Sequence, residues 1–397
     1  MADHDIVISG GGVAGLTAAA AFGTEGFSVL CVDPATPVTE EAAEGSDLRT
    51  TAFLQPSVQL LDAAGLWCRL APHAMPLQVM RIVDAGGHDP LPRQVRDFDA
   101  AEISDEPFGW NVPNWLLRRE MLARLAELAN VTFEAGIGTT SVVTRDATAH
   151  VTLSDGRRVS TRLLVGADGR DSAVRRALGI GVRAVRYGQK ALVFAVTHPI
   201  PHDNVSTEIH RSGGPFTLVP LPDRDGRPAS AVVWMERGPE ALRLFGLPVP
   251  EFEAAMSERA CHLFGPLTLA TRRTLWPIIT QVAERTVARR TVLIAEAAHV
   301  IPPIGAQGLN MSLADLASLL DLARADPDRL GDAAMLAAHA RRRTADVALR
   351  MAGVDLLNRA SMLTPQPLRD LRAGALGALH ALAPVRRAMM RAGLGVR

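Results

Sequence analysis

Apolar positions fall into two rhythms along this chain. Short apolar runs bounded by glycine or proline read as buried strands. Stretches with apolar residues every three or four positions read as helices. Asp5–Ser9 is the first such run, and Gly10-Gly11-Gly12-Val13-Ala14-Gly15 follows it. An Ala-rich helix is predicted from Val13 to Thr24. Gly26 breaks it, and Phe27–Val32 reads as a second strand ending in Asp33. Further strands are expected at Val79–Val83, Val131–Phe133, Ser141–Thr144, Ala149–Leu153, Leu192–Val196, Phe216–Leu221, Ala231–Met235 and Val292–Ala295. Helical spacing runs through Leu54, Val58, Leu61 and Leu66, then Arg118–Leu128, Glu251–Phe264 and onward from Leu309. The remainder reads as helical, with Leu336–Leu357, Leu368–Leu382 and a stripe through Val385, Met389 and Ala392.

With 397 residues the chain has room for roughly two to three domains. Lys plus Arg and Asp plus Glu both number 42, so no global basic field points to nucleic acid. Cys31, Cys68 and Cys261 share no metal-like spacing, so no metal site is expected. Such sparse, odd usage suits a reducing cytoplasm. The start carries no signal-peptide pattern, and no uncharged apolar run reaches the ~18 residues of a membrane span. A cytoplasmic protein is expected.

Two stretches carry chemistry. The first is Gly10-x-Gly12-x-x-Gly15 between a strand and a helix, with Asp33 ending the next strand. Gly10 permits a tight turn, Gly12 lets a pyrophosphate approach the backbone, and Gly15 lets the helix pack on the strand. Asp33 is placed to accept from ribose hydroxyls. That pattern means nucleotide binding without deciding between FAD and NAD. The second is Thr291–Asp315, where a strand feeds a loop containing Pro302, Pro303, Gly305 and Gly308, and the loop delivers a helix N-terminus. Free N–H groups and the positive dipole end suit an anionic ring or phosphate there.

The second stretch resembles an FAD-contact motif of the single-component FAD-dependent aromatic monooxygenases, most of all the hydroxylases of ubiquinone biosynthesis. Ala297, Ala298, His299, Pro303, Gln307, Gly308, Asn310 and Asp315 match. Ala295–Glu296 stands where Gly-Asp is usual, and Ala306 and Ser312 each replace a glycine. The resemblance implies an α/β fold: an FAD-binding Rossmann-like domain (1–74, 111–185, 275–325) interleaved with an antiparallel-sheet substrate domain (75–110, 186–274), then a helical C-terminal segment (326–397).

The resemblance also assigns residues. FAD contacts are expected from Gly10, Gly12, Val13, Ala14, Gly15, Asp33, Arg49, Arg119 (with Arg118 as rival), Asp168, Glu296, Pro303, Gly305, Gln307, Gly308, Leu309 and Asn310. Arg49 is expected on the pyrophosphate and Glu296 on the ribityl hydroxyls. Asp168 belongs to an Asp-Gly segment entering a helix, where it is also a natural cap. Phe216, Pro220 and Trp234 fall where the substrate cavity is lined, although an apolar strand residue is more often plain core. His299 is expected as a packed element of the motif. No catalytic side chain is assigned, since the flavin carries the chemistry.

The implied reaction is hydroxylation of a polyprenylated phenol by O2 through a flavin C4a-hydroperoxide, after reduction by NAD(P)H. Other readings of the same scaffold are a hydroxylase of soluble aromatics, a reductase of isoprenoid double bonds, and a non-catalytic flavoprotein in a biosynthetic complex. From Gln366 onward stand six arginines and one aspartate. Leu368–Arg397 therefore reads as a docking element for a membrane surface or complex, or as helices packed on their own domain.

Overall fold

In the computed structural model, which describes residues 2–87, 89–211 and 213–395, two large sheets are threaded through one another along the chain. Arg397, part of the expected docking tail, lies outside the described residues. The first sheet has five parallel strands in the order Thr291–Leu293, Arg158–Gly166, His4–Ser9, Val29–Asp33 and Val131–Ala135. Ile6, Val7 and Ile8 are all fully buried, because both faces of this sheet are covered. One face carries the helices Val13–Thr24, Asn114–Ala126 and Gln307–Ala325, whose Leu16, Phe22, Leu117, Met121, Leu316 and Leu319 form the core. The other face is closed by the hairpin Thr139–Thr144 and Ala149–Leu153.

The second sheet runs His299–Val300, Thr274–Ala283, Val182–Thr197, Arg227–Arg237, Pro215–Arg224, Val205–His210, Val79–Asp84 and Gln94–Asp99. Its pairs are antiparallel except Val205–His210 with Val79–Asp84, which is parallel. Helices Gly238–Phe245 and Val249–Arg259 cover one face, with Phe252 of the second packed on Phe194, Phe216 and Trp234.

Several expectations need correction. Thr274–Ala283 ladders onto Val182–Thr197, so 275–283 is a strand of the second sheet, with Ala283 at its end packed into the core of the first. The two strands are long enough to run through the boundary between the layers. Their exposed ends, such as Val182–Arg186, show no apolar step to mark the crossing. Thr50–Leu54 is a strand and not a helix start. It pairs with Gly109–Pro113, and the helix begins at Gln55. The helix expected over Glu251–Phe264 ends at Arg259, where Cys261 and His262 take positive φ.

The C-terminal helices are Ala333–Ser361, Gln366–Ala381 and Ala383–Leu394. The first lies along Gln307–Ala325 and then crosses to the second sheet. There the Tyr187 hydroxyl donates to Asp355, and Asn358 Nδ2 donates to Gln189 at 3.0 Å. The last two pack on their own protein. Arg372 reaches Asp84 at 2.9 Å, Arg386 reaches Glu102 at 2.7 Å, and the His380 ring stands edge-on to Phe98. Much of the expected surplus charge is thus paired internally. Leu368, Leu371, Leu379 and Leu382 nevertheless face solvent. No helix among the described residues is long and apolar enough to cross a membrane.

His339 joins two of these helices. It is 1% exposed, its Nδ1 is 3.2 Å from the Ser318 hydroxyl, and burial pushes its pKa down from 6.5 to about 4. As pH falls below 6.5 the unfolded chain takes up this proton while the folded chain does not. Stability should therefore drop between pH 6.5 and about 4, by up to about 3 kcal/mol. Urea melts of wild type and His339→Phe should diverge across that window. Parallel pH profiles would show that His339 does not stay neutral when folded.

Candidate functional site

The glycine-rich loop divides its glycines between fold and ligand. Gly10 lies at φ +117°, and a Cβ there would meet the Ala167 carbonyl oxygen at 2.3 Å. A Cβ on Gly15 would lie 1.9 Å from the Gly10 carbonyl oxygen. Both are required for the first strand, its helix and the Ala167–Asp168 turn to close. Gly12 differs, because nothing lies within 4 Å of the Cβ it lacks. The helix that starts at Val13, with Ala14 buried behind it, has no side-chain cap, so its first N–H groups remain for a phosphate. Asp33 accepts from the Gly11 N–H and, at 2.8 Å, from the Ala35 N–H. It shapes the loop beside which a ribose would lie.

Asp168 accepts from the Ser172 hydroxyl and from the Val174 N–H, the latter at 3.0 Å. Ser172 in turn caps the helix Ala173–Ala177. Its visible work is therefore the turn next to Gly10.

The strand–loop–helix stretch shows why glycine is usual at two places where this chain has alanine. Ala295 sits at φ +56° and Ala306 at φ +55°, both in the left-handed region. Ala306 immediately precedes the helix Gln307–Ala325, which also lacks a side-chain cap. The side chains of that helix hold the loop. Asn310 Nδ2 donates to the Ala306 and Ala52 carbonyls, its Oδ1 accepts from the Leu54 N–H, and Gln307 Nε2 donates to the Gly305 carbonyl. Gly308 has open space where a Cβ would stand. Leu309 is half-buried and Pro303 exposed.

His299 enters the loop fully buried, and Nε2 donates to Asp315 at 2.7 Å. Asp315 also accepts from Arg343 at 2.6 Å. Burial pushes the Asp315 carboxyl up, but His299 and Arg343 more than offset this and leave it below its ordinary value. The charges continue along the helix: Arg343 to Asp346 at 2.8 Å, Asp346 to Arg350 at 3.0 Å, and Arg350 to the Gln307 side-chain oxygen.

Arg49 forms a bidentate pair with Asp47 at 2.7 and 2.8 Å, and its guanidinium lies 4.3 Å above the Trp276 ring. Burial would raise the Asp47 carboxyl, but Arg49, Asn114 and Arg118 together lower it. Arg118 thus faces the Arg49 cluster. Arg119 turns away, to Glu120 and the Trp115 ring. Glu296 is half exposed and 3.9 Å from Arg170, whose Nε otherwise lacks a partner. Sequence reasoning missed Trp276, for which no local signal existed, and Asp47, a neighbour of Arg49 in the same motif.

The expected substrate residues share one face of the second sheet. Phe216 and Trp234 are buried in the helix-covered core with rings 5.3 Å apart, and Pro220 shares their face by alternation. The opposite face, with Val193, Val233, Met235 and Ile278, packs against Ile301 and Ile304 of the loop and Val354. That second face is the one turned toward the loop between His299 and Gln307. A slip of one residue exchanges the faces of a strand.

The FAD binding domain family matches residues 3–349. The chain is 35% identical to ubiquinone hydroxylase UbiL of Rhodospirillum rubrum, over 98% of this chain and 89% of that one. The chain belongs to the FAD-dependent monooxygenases. A second relative of this monooxygenase is the 3-demethoxyubiquinol 3-hydroxylase of Escherichia coli, 26% identical over 99% and 98% of the two chains. In fold it resembles p-nitrophenol 4-monooxygenase PnpA from Pseudomonas putida, at TM-score 0.80 and 17% identity over 99% and 98%.

The residues of this monooxygenase fit FAD. Gly12 and Gly308 leave open space at two helix starts without a side-chain cap, which suits an anionic group at each. Gly12→Val should therefore fold normally yet lose on the order of 3 kcal/mol or more of FAD affinity, the scale of a lost charge-assisted contact. Gly15→Val should fail to fold. Circular dichroism and FAD titration separate the two, and wild-type FAD affinity in Gly12→Val would remove the loop from the site. Replacing Ala306 or Ala295 by glycine relieves a left-handed alanine but adds unfolded-state entropy. A net stabilisation of about 0.5–1 kcal/mol is expected in urea melts. A loss of stability would show that these backbones are unstrained.

Proposed function

We propose that this monooxygenase hydroxylates the aromatic ring of a polyprenylated phenol in ubiquinone biosynthesis, using O2 and an NAD(P)H-type reductant. The observation that carries this is the full-length 35% identity to a ubiquinone hydroxylase. The flavin, when bound, supplies oxygen activation. The protein binds and shields. Gly10–Gly15 and Asp33 hold the ADP half, with Arg49 and Arg118 beside them as phosphate partners that trade part of their Asp47 pairing. The uncapped start of Gln307–Ala325 sets N–H groups and its dipole against charge that accumulates on the reduced ring. Ile301, Ile304, Val233 and Met235 keep water from the ring to be hydroxylated. Purified protein should carry FAD, and a deletion strain should accumulate the unhydroxylated precursor. The product should be heavier by one oxygen. A gain of two hydrogens would make it a reductase, and no substrate-stimulated NAD(P)H oxidation by any candidate phenol would make it a scaffold.

We propose further that the tail brings the enzyme to the membrane holding so apolar a substrate. Its support is the outward row of Leu368, Leu371, Leu379 and Leu382, with Arg391 exposed nearby in sequence. Apolar area with added positive charge is what an anionic surface retains reversibly. Leu379→Glu/Leu382→Glu should fold, load FAD and stop sedimenting with anionic vesicles. Sedimentation at the wild-type level would make this face an ordinary protein surface.

A further inference from the structure

The loop between His299 and Gln307 is gripped at both ends by the same helix. At its start His299 is bound to Asp315, and Asp315 to Arg343. At its end the Gln307 side-chain oxygen accepts from Arg350. Arg343 and Arg350 share Asp346 between them, at 2.8 and 3.0 Å. About two turns of alternating charge on Ala333–Ser361 thus span the loop like a bracket. A second hold comes from the chain's last helix. Gln307 Nε2 lies 3.1 Å from the Gly393 carbonyl, which accepts from it. Leu394 is 5% exposed, and Arg350 closes over Gly395, where a Cβ would lie 2.7 Å from its Nη2.

Gln307 has no freedom of its own in this arrangement. Its amide spends one donor on Gly305 and another on Gly393, and its oxygen is taken by Arg350. Gly305 and Ala306, both at positive φ, are the residues that aim the helix start. That conformation suits Gly305 but strains Ala306, and the Asn310 and Gln307 side chains hold it from the helix.

We propose that Arg350 and the Gly393 turn are positioning elements for the flavin loop, setting its backbone through the Gln307 side chain. The inference rests on the FAD reading for its consequence, but its geometry concerns the protein alone. The last helix, on which Val385 and Met389 are exposed, is then mechanically joined to the cofactor face. Anything that pulls on that helix is felt at Gln307.

The test uses Arg350→Met, which keeps the side chain's length without its donors, and Arg350→Lys, which keeps a donor. Hydrogen–deuterium exchange of the apoprotein should show faster exchange in peptides covering 299–310 for Arg350→Met, by on the order of tenfold, and partial recovery in Arg350→Lys. After FAD is added, the dissociation constant should change by less than about threefold, because the ADP half is held elsewhere. The flavin absorption band should shift, and kcat should fall more than KM rises. Wild-type exchange and spectrum in Arg350→Met would overturn the proposal. Leu394→Asp, which leaves every ladder residue intact, should loosen the same peptides. If it does not, the last helix has no part in positioning. Should Arg350→Met fail to fold, Leu394→Asp decides alone. A protein that binds no FAD would refute the cofactor reading and leave the exchange result to stand by itself.

Discussion

Asp315 is a carboxylate that water barely reaches, at 5% side-chain exposure. An ion in that position costs several kcal/mol unless its partners surround it. Two do, from different directions: His299 out of the loop strand and Arg343 from the long C-terminal helix. Because neither can leave without stranding a buried charge, three successive elements of the chain are locked in register. The loop, the helix Gln307–Ala325 and the helix Ala333–Ser361 therefore move as one body. The geometry of the cofactor face follows from that lock.

How far the chain could be read in advance depended on the kind of constraint. The glycine loop, Asp33 and the Asp-Gly turn were legible because each obeys a local steric rule. The Gly10 and Gly15 contacts leave no alternative residue. The departures at Ala295 and Ala306 were visible as letters, but their left-handed backbone was not. Side-chain direction was the least legible part. Phe216 and Trp234 fall on the helix-covered face, and which face of a strand is covered is decided by the layer that arrives. Arg118 and Arg119 differ by about 100° around their helix, and only the position of Asp47 selects between them.

The tail was ambiguous for a physical reason. An amphipathic helix with arginines has the same pattern whether its charges meet lipid or protein. Here they do both kinds of duty. Arg372 answers Asp84 on the second sheet and Arg386 answers Glu102 in the turn after its edge strand, and the opposite side of the same segment leaves leucines in solvent. Anchoring to the body and presenting an apolar face are thus tasks of one segment, divided around its circumference.

The threading of the two sheets has a consequence for how the protein comes into being. His4–Ser9 pairs with Arg158–Gly166, and that strand with Thr291–Leu293. On a ribosome, the central nucleotide sheet lacks its last parallel strand until nearly three quarters of the chain has emerged. Until then Leu164 and Val165 present an open, apolar strand edge, the kind of surface that recruits other nascent chains. Such distant pairings also close slowly once available. The interleaving that places one layer above the other in the finished enzyme therefore makes its synthesis a long exposure, in which all but the last short strand of the second sheet emerges before the first can be completed.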